Sequence, residues 1–252
     1  GLAVVVDKPL AASAEDGRRL AALAEERGLP LAVFHNRRWD GDLLTVRRLL
    51  DEGRVGDVWR FESRFERWRP ELRAGAWRER GDPEEAGGVL FDLGSHLVDQ
   101  ALLLFGPVAE VRAELDRRRP GAEVDDDVFI ALTHESGTRS HLWASQAAAR
   151  PGPRMRVLGS RGGYLKDGLD VQEEALRSGE APGGPDWGRE PPGLWGTLGA
   201  GDEAETIETE PGDYPAFYAG MVAALRDGAP VPVSAADGVA VLEVLERALA
   251  DA

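Results

Sequence analysis

GGVLFDLGSHLVDQALLLFG, residues 87–106, decides how this chain is read. Gly87-Gly88 opens the stretch, Gly106 closes it, and an apolar helical pattern with a polar stripe runs between them. Asp92, His96 and Asp99 recur at i, i+4 and i+7, which stacks their side chains on one helix face. Leu93, Leu97, Val98, Ala101 and the run Leu102-Leu103-Leu104-Phe105 leave the helix almost no solvated side. An acid and an imidazole one turn apart on such a helix must be paired or must face a cleft. The plainer alternative is a solvated polar face.

Upstream, LAVVV at residues 2–6 is the continuous β-branched run of a strand buried on both faces, and it ends at Asp7-Lys8-Pro9. Ser13 with Asp16 predicts a capped helix start, and Gly28 a stop. LPLAVFHN, residues 29–36, reads as a second strand, so the opening is the βαβ unit of a parallel sheet. RRWDGDLLTVRRLLDEGRVGD follows with helical spacing. The period then changes to two: in residues 58–68, Trp59, Phe61, Ser63 and Phe65 alternate with charged residues, and Ala109, Val111, Ala113 and Leu115 do the same in residues 109–116. Further strands are expected over 127–134, 139–146 and 154–159, then a Gly162-Gly163 turn into YLK. This predicts a large, mostly antiparallel sheet with the 91–105 helix over one face. The other face carries both charge signs and is either solvated or an interface. Residues 170–213, rich in Gly, Pro and acids, read as a surface excursion that Trp187, Leu194 and Trp195 partly fold back. Helices are expected over 214–227 and 235–250, the latter capped by Ser234 with Asp237.

The chain has 252 residues, 42% hydrophobic and 30% charged, enough for one large domain or two small ones. Its formal net charge of −15 opposes nucleic acid or an anionic membrane surface as partner. No apolar run spans a bilayer and no signal-peptide pattern opens the chain. The absence of cysteine excludes disulfides, thiolate catalysis and Cys-ligated metals, and fits a cytoplasmic protein. Lys8 and Lys166 are the only lysines among the basic residues.

VVVDKPLA resembles the Glu-Lys-Pro segment of the Gfo/Idh/MocA oxidoreductases, with Asp7 in place of Glu, and GGVLFDLGSHLVDQ is similar to that family's glycine-led Asp-x-x-x-His segment. FHNRRWDGDLLTV narrows the likeness toward the subgroup that includes NADP-dependent scyllo-inositol dehydrogenases. The resemblance covers nearly the whole chain. It implies an α/β protein: residues 1–36 as the last part of a Rossmann-type dinucleotide-binding sheet, 37–233 as an α+β substrate-binding and oligomerisation domain with an open sheet covered by helices, and 234–252 as a C-terminal helix. No Gly-x-Gly-x-x-Gly follows a strand here, so the chain is expected to be the second part of such an enzyme, lacking most of its dinucleotide-binding half.

The resemblance also implies the chemistry: NADP or NAD as cofactor, a cyclic polyol or sugar as substrate, and a homo-oligomer formed through the open sheet. Lys8, Asp92 and His96 carry over as the catalytic set, with Asp99 as a supporting candidate and Asp7, Lys8 and Pro9 beside the cofactor. Residue chemistry agrees, since oxidising an alcohol needs a base for the hydroxyl proton and an imidazole titrates near working pH. Lys8 ends an apolar parallel strand, where open α/β sheets place ligands, and Asn36 and Arg37 end the next one. Each has a plainer alternative: a surface lysine, a core histidine satisfied by Asp92, a helix cap and an ion pair. Trp77, Arg154 and Tyr164 are further candidates for substrate contact, against packing. His134 and His141 read as strand residues. Asp125, Asp126 and Asp127 read as a turn rather than a metal site. Two other classes stay open, a binding or assembly module without the dinucleotide half and a sugar lyase or isomerase.

Overall fold

The computed structural model describes residues 1–73, 79–81 and 86–252. β1 (Val4–Asp7), α1 (Ala14–Glu26) and β2 (Leu31–Phe34) form the strand-helix-strand unit, with β1 and β2 parallel from Val4 opposite Leu31 to Asp7 opposite Phe34. Ser13 caps α1 by accepting the Asp16 amide at 3.1 Å. The expectation that β1 is covered on both faces does not hold. Among the described residues β1 pairs with β2 alone, and Val4 and Val5 stay 47% and 44% exposed. On the other side of β2 the chain returns, and Val33 N–H donates to Val233 O at 3.2 Å.

A 3-10 turn at Asn36–Trp39 leads into α2 (Gly41–Asp51), and β3 (Val58–Glu66) follows. Beyond it a π-helical turn at Leu90–Gly94 runs into α3 (Ser95–Phe105), then β4 (Val108–Asp116), β5 (Asp127–His134), β6 (Arg139–Ser145), β7 (Met155–Gly159) and β8 (Gly162–Lys166). The expected excursion holds more regular structure than its composition suggests. It contains α4 (Gln172–Arg177) and a hairpin of β9 (Gly196–Ala200) and β10 (Glu203–Ile207), which widens the sheet to the order β10-β9-β8-β7-β3-β6-β5-β4. Both strands are five residues long; β9 carries two glycines and buries only Gly196 and Leu198, and β10 buries only Ile207, so no sustained period-two pattern marks them. α5 (Tyr214–Asp227) and α6 (Ala235–Asp251) complete the chain, the latter with the reciprocal Ser234–Asp237 capping box.

Every neighbouring pair in the large sheet is antiparallel except β3 with β6. α3 packs on β3 and β6, burying Leu97, Val98 and Ala101 against Phe61, Phe65 and Leu142. Burying each aromatic ring contributes about 2–3 kcal/mol. α6 lies against α1, α3 and β4 and joins the small sheet to the large one. Two residues break the expected alternation. Trp59 is 54% exposed and Ala109 is also exposed, because the register shifts between Val58 and Arg60 and between Val108 and Glu110. An extra residue in one strand turns the side chain away from the covered face.

Candidate active site

The carboxyl ends of β1 and β2 bring Asp7, Lys8, Asn36 and Arg37 to one cavity of about 630 Å³, and the π turn with α3 brings Asp92 and His96 to the same cavity. Lys8 Nζ donates to Asp92 Oδ1 at 2.8 Å and to the Asp92 main-chain carbonyl. The pair is largely shielded, with side chains 8% and 19% exposed, so the lysine head group is held at a fixed place. The peptide bond from Lys8 to Pro9 is cis, and Pro9 is not in the cavity wall.

His96 is 6% exposed, and its Nδ1 is buried with no hydrogen-bond partner. Nε2 is therefore the ring nitrogen left to face the cavity. Burial first, then the positive charges of Lys8 and Arg37, hold the imidazole well below its ordinary pKa of 6.5. The ring is neutral at pH 7. His35 packs edge-on to it with centroids 5.8 Å apart and is itself fully buried with both ring nitrogens unpartnered. Burial likewise lowers the His35 pKa.

The single polar face expected for Asp92, His96 and Asp99 is divided. A π turn carries an extra residue per turn, and Asp99 lies outside the cavity wall. Its two oxygens grip Arg38, accepting from Nε at 2.9 and 3.1 Å and from Nη2 at 2.6 Å. Arg154 also lies elsewhere, buried at 2% exposure and bonded to Ser63, Gln100 and Asp42. Tyr164 is fully buried beside Asp42 and Glu190, whose charges, after burial itself, raise its phenol pKa. Neither lines the cavity, so both depart from the expected substrate contacts: Arg154 is held inside by its polar partners, whereas Tyr164 packs in the hydrophobic core with its hydroxyl unpartnered. Trp77 lies outside the described residues. His134 bridges Gly106 O and Ser140 Oγ at 2.8 Å each, and Lys166 pairs with Glu190 at 3.1 Å, both as internal structure. His141 stands beside Phe129 and Trp143 on the open sheet face.

Several cavity residues carried no signal in the sequence. Asp125 is one: its Oδ2 accepts the Leu90 amide at 2.7 Å and its carbonyl the Val89 amide at 3.0 Å, which pins the start of the π turn. Burial pushes its carboxyl up to about 6 against those bonds. Arg67, Arg69 and Arg119, and Glu173 and Arg177 of α4, line the cavity as well. Period two does place Arg67 and Arg69 on one side of the strand end, with Trp68 on the other. Gly88 has φ +93°, and a Cβ there would lie 2.2 Å from Asp125 Oδ1. Gly88→Ala is expected to cost about 1–3 kcal/mol from backbone conformation alone, with displacement of Asp125 added. A urea transition unmoved from wild type would contradict this.

The ends of two parallel strands thus bring a lysine, an acid and a neutral imidazole into one cavity of a mixed α/β fold that also holds an open, mostly antiparallel sheet. Residues 43–165 match the GFO/IDH/MocA C-terminal domain. The whole chain is 43% identical over 254 residues to the Escherichia coli protein named uncharacterized oxidoreductase YdgJ, of which it covers 72%. It is 38% identical over 254 residues to the scyllo-inositol 2-dehydrogenase (NADP(+)) IolW of Bacillus subtilis, of which it covers 70%. The crystal structure of an oxidoreductase from Bacillus cereus superposes with a TM-score of 0.88 at 30% identity, across 98% of this chain and 72% of that one. The chain belongs to the Gfo/Idh/MocA family of oxidoreductases.

Proposed function

We propose that this chain is the substrate-binding and catalytic part of an NAD(P)-dependent dehydrogenase that oxidises a hydroxyl carbon of a cyclic polyol or sugar. The observation that carries the reading is the meeting of Lys8, Asp92 and His96 in one cavity at the end of a parallel strand. The 38% identity to an NADP(+)-dependent inositol dehydrogenase supports the cofactor and the substrate class.

The residues present fit a nicotinamide cofactor. Strand ends and the His96 imidazole converge on one space, where Asp7, Lys8 and Asn36 would hold the nicotinamide end. When bound, that group accepts a hydride, the C–H bond's electron pair, as the carbon–oxygen double bond forms. The protein's part is the proton and the geometry. His96 Nε2 takes the hydroxyl proton, which it can do because the folded ring stays neutral. Lys8, fixed by Asp92, donates a hydrogen bond to the same oxygen and stabilises negative charge as it develops. The open sheet face, with exposed Trp59 and the Phe129–His141–Trp143 cluster, supports assembly into a homo-oligomer.

The test is formation of NADPH or NADH, followed at 340 nm, with scyllo-inositol, myo-inositol and glucose. Polyol-dependent reduction is expected, and kcat should hold steady as pH falls to 6.5, because the folded imidazole takes its proton only below the ordinary value. No reduction with any polyol or sugar would end this reading. An acid limb above pH 6.5 would assign the proton transfer to another group.

A further inference from the structure

In a chain whose net charge is −15, the cavity gathers Arg67, Arg69 and Arg177 together with Glu71, Glu79 and Glu173. Beyond Glu66 the backbone stays extended: Arg67 N–H donates to Ser145 O and Arg69 N–H to Gln146 O, both at 2.8 Å, and Trp68 bridges to Ala147. Alternation sends Arg67 and Arg69 into the cavity and leaves Trp68 56% exposed on the other side. Across from them α4 presents Glu173 and Arg177. Glu173 is the shared counterion of three guanidiniums, at 2.7 Å from Arg37, 3.3 Å from Arg177 and 3.6 Å from Arg67. Arg37 has Asp40 as a second partner, and Asp92 pairs with Lys8 while its charge also acts on Arg69. Among the described residues no carboxylate forms an ion pair with Arg69. Burial, and then the mutual repulsion of these cations, depresses the pKa of both Arg67 and Arg69. Arg67 and Arg177 share Glu173 with Arg37, and Arg177 also reaches Glu174 at 4.0 Å, so Arg69 is the guanidinium in this cluster left over for an anion.

We propose that the alcohol oxidised at this site carries an oxyanion of its own, a carboxylate or a phosphate, held by Arg67, Arg69 and Arg177 on the wall facing Lys8 and His96. The substrate class is then a sugar acid or a sugar or polyol phosphate. This rests on the dehydrogenase reading of the same cavity and narrows it. Guanidinium is suited to the task because its planar donor fork matches both oxyanions. A guanidinium left over in the cavity of an acidic protein also gathers anions locally, which the overall charge would otherwise repel. The reaction is unchanged: the hydride goes to NAD(P), the hydroxyl proton goes to His96, and the oxyanion takes no part in bond changes. The guanidiniums belong to the strand end after β3 and to α4, not to the β1 end that would meet the nicotinamide.

The test compares kcat/KM of the full enzyme for neutral and acidic partners, glucose against glucuronate and glucose 6-phosphate, in wild type, Arg69→Ala and Arg69→Lys. Titration calorimetry with the two acids supplies a readout independent of turnover. Wild type is expected to favour at least one acid by about tenfold or more. That ratio should collapse in Arg69→Ala and partly return in Arg69→Lys, and added salt should raise KM for the acid more than for glucose. Equal use of glucose and the acids, or a ratio untouched by Arg69→Ala, overturns the anion site and leaves the dehydrogenase intact. A loss in Arg69→Ala confined to NADP and absent with NAD moves the guanidinium to the cofactor phosphate and also overturns it. If nothing is oxidised but acid binding is lost in Arg69→Ala, the anion site stands and the dehydrogenase reading falls. Neither reduction nor binding removes both.

Discussion

Replacing His96 by alanine is expected to lower kcat by about 10²- to 10⁴-fold, with nucleotide affinity largely kept. The ring lines the same cavity as the Lys8–Asp92 pair, and its Nδ1 has no hydrogen-bond partner to share a proton with. Burial first, then the charges of Lys8, Arg37 and Arg154 and the neighbouring His35, all oppose the imidazolium. The proton it accepts must therefore leave again quickly, which suits a base that turns over. His96→Gln keeps most of the volume beside Phe65, whose ring centroid is 6.4 Å away, and separates lost chemistry from lost packing. Single-turnover reduction of the nucleotide, with affinity read from nucleotide fluorescence, checks both. A kcat within a few-fold of wild type in both variants would take His96 out of the proton transfer and leave Lys8 as the group to examine.

Asp99→Ala should act on stability, and by about 3–5 kcal/mol. Its carboxylate is 2% exposed and makes three hydrogen bonds to a guanidinium that is itself 11% exposed. Removing it strands a shielded cation on the 3-10 turn that aims Asn36 and Arg37 at the cavity. Asp237, 3.6 Å from Arg38 Nη1 and 43% exposed, offsets part of the loss. Urea unfolding measures the change, while kcat of the molecules that remain folded should stay within a few-fold of wild type. A stable variant with a collapsed kcat would restore Asp99 to the chemistry.

The elements that read clearly in the sequence are those whose causes lie within a few residues. Ser13 and Ser234 cap helices through amides three positions on, and β5 occupies the same residues, 127–134, that alternation marks. The resemblance brought together Lys8 and Asp92, which the fold joins across 84 positions of sequence; no periodicity could have done so. Bulges at Trp59 and Ala109, the glycine-bearing β9–β10 hairpin and the exposure of β1 depend on which strand lies alongside. The same holds for Arg154, which is internal because Asp42, Ser63 and Gln100 meet it there. Sequence by itself determined the strand-helix-strand opening, the antiparallel sheet under a helix, the capped ends and the identity of the acid, lysine and histidine at the site. The tertiary structure alone decided that Asp99 serves Arg38, that Asp125 anchors the π turn and that Arg37, Arg67 and Arg177 share Glu173, because charge pairing inside a protein is settled by proximity in space and by the cost of leaving a buried group alone.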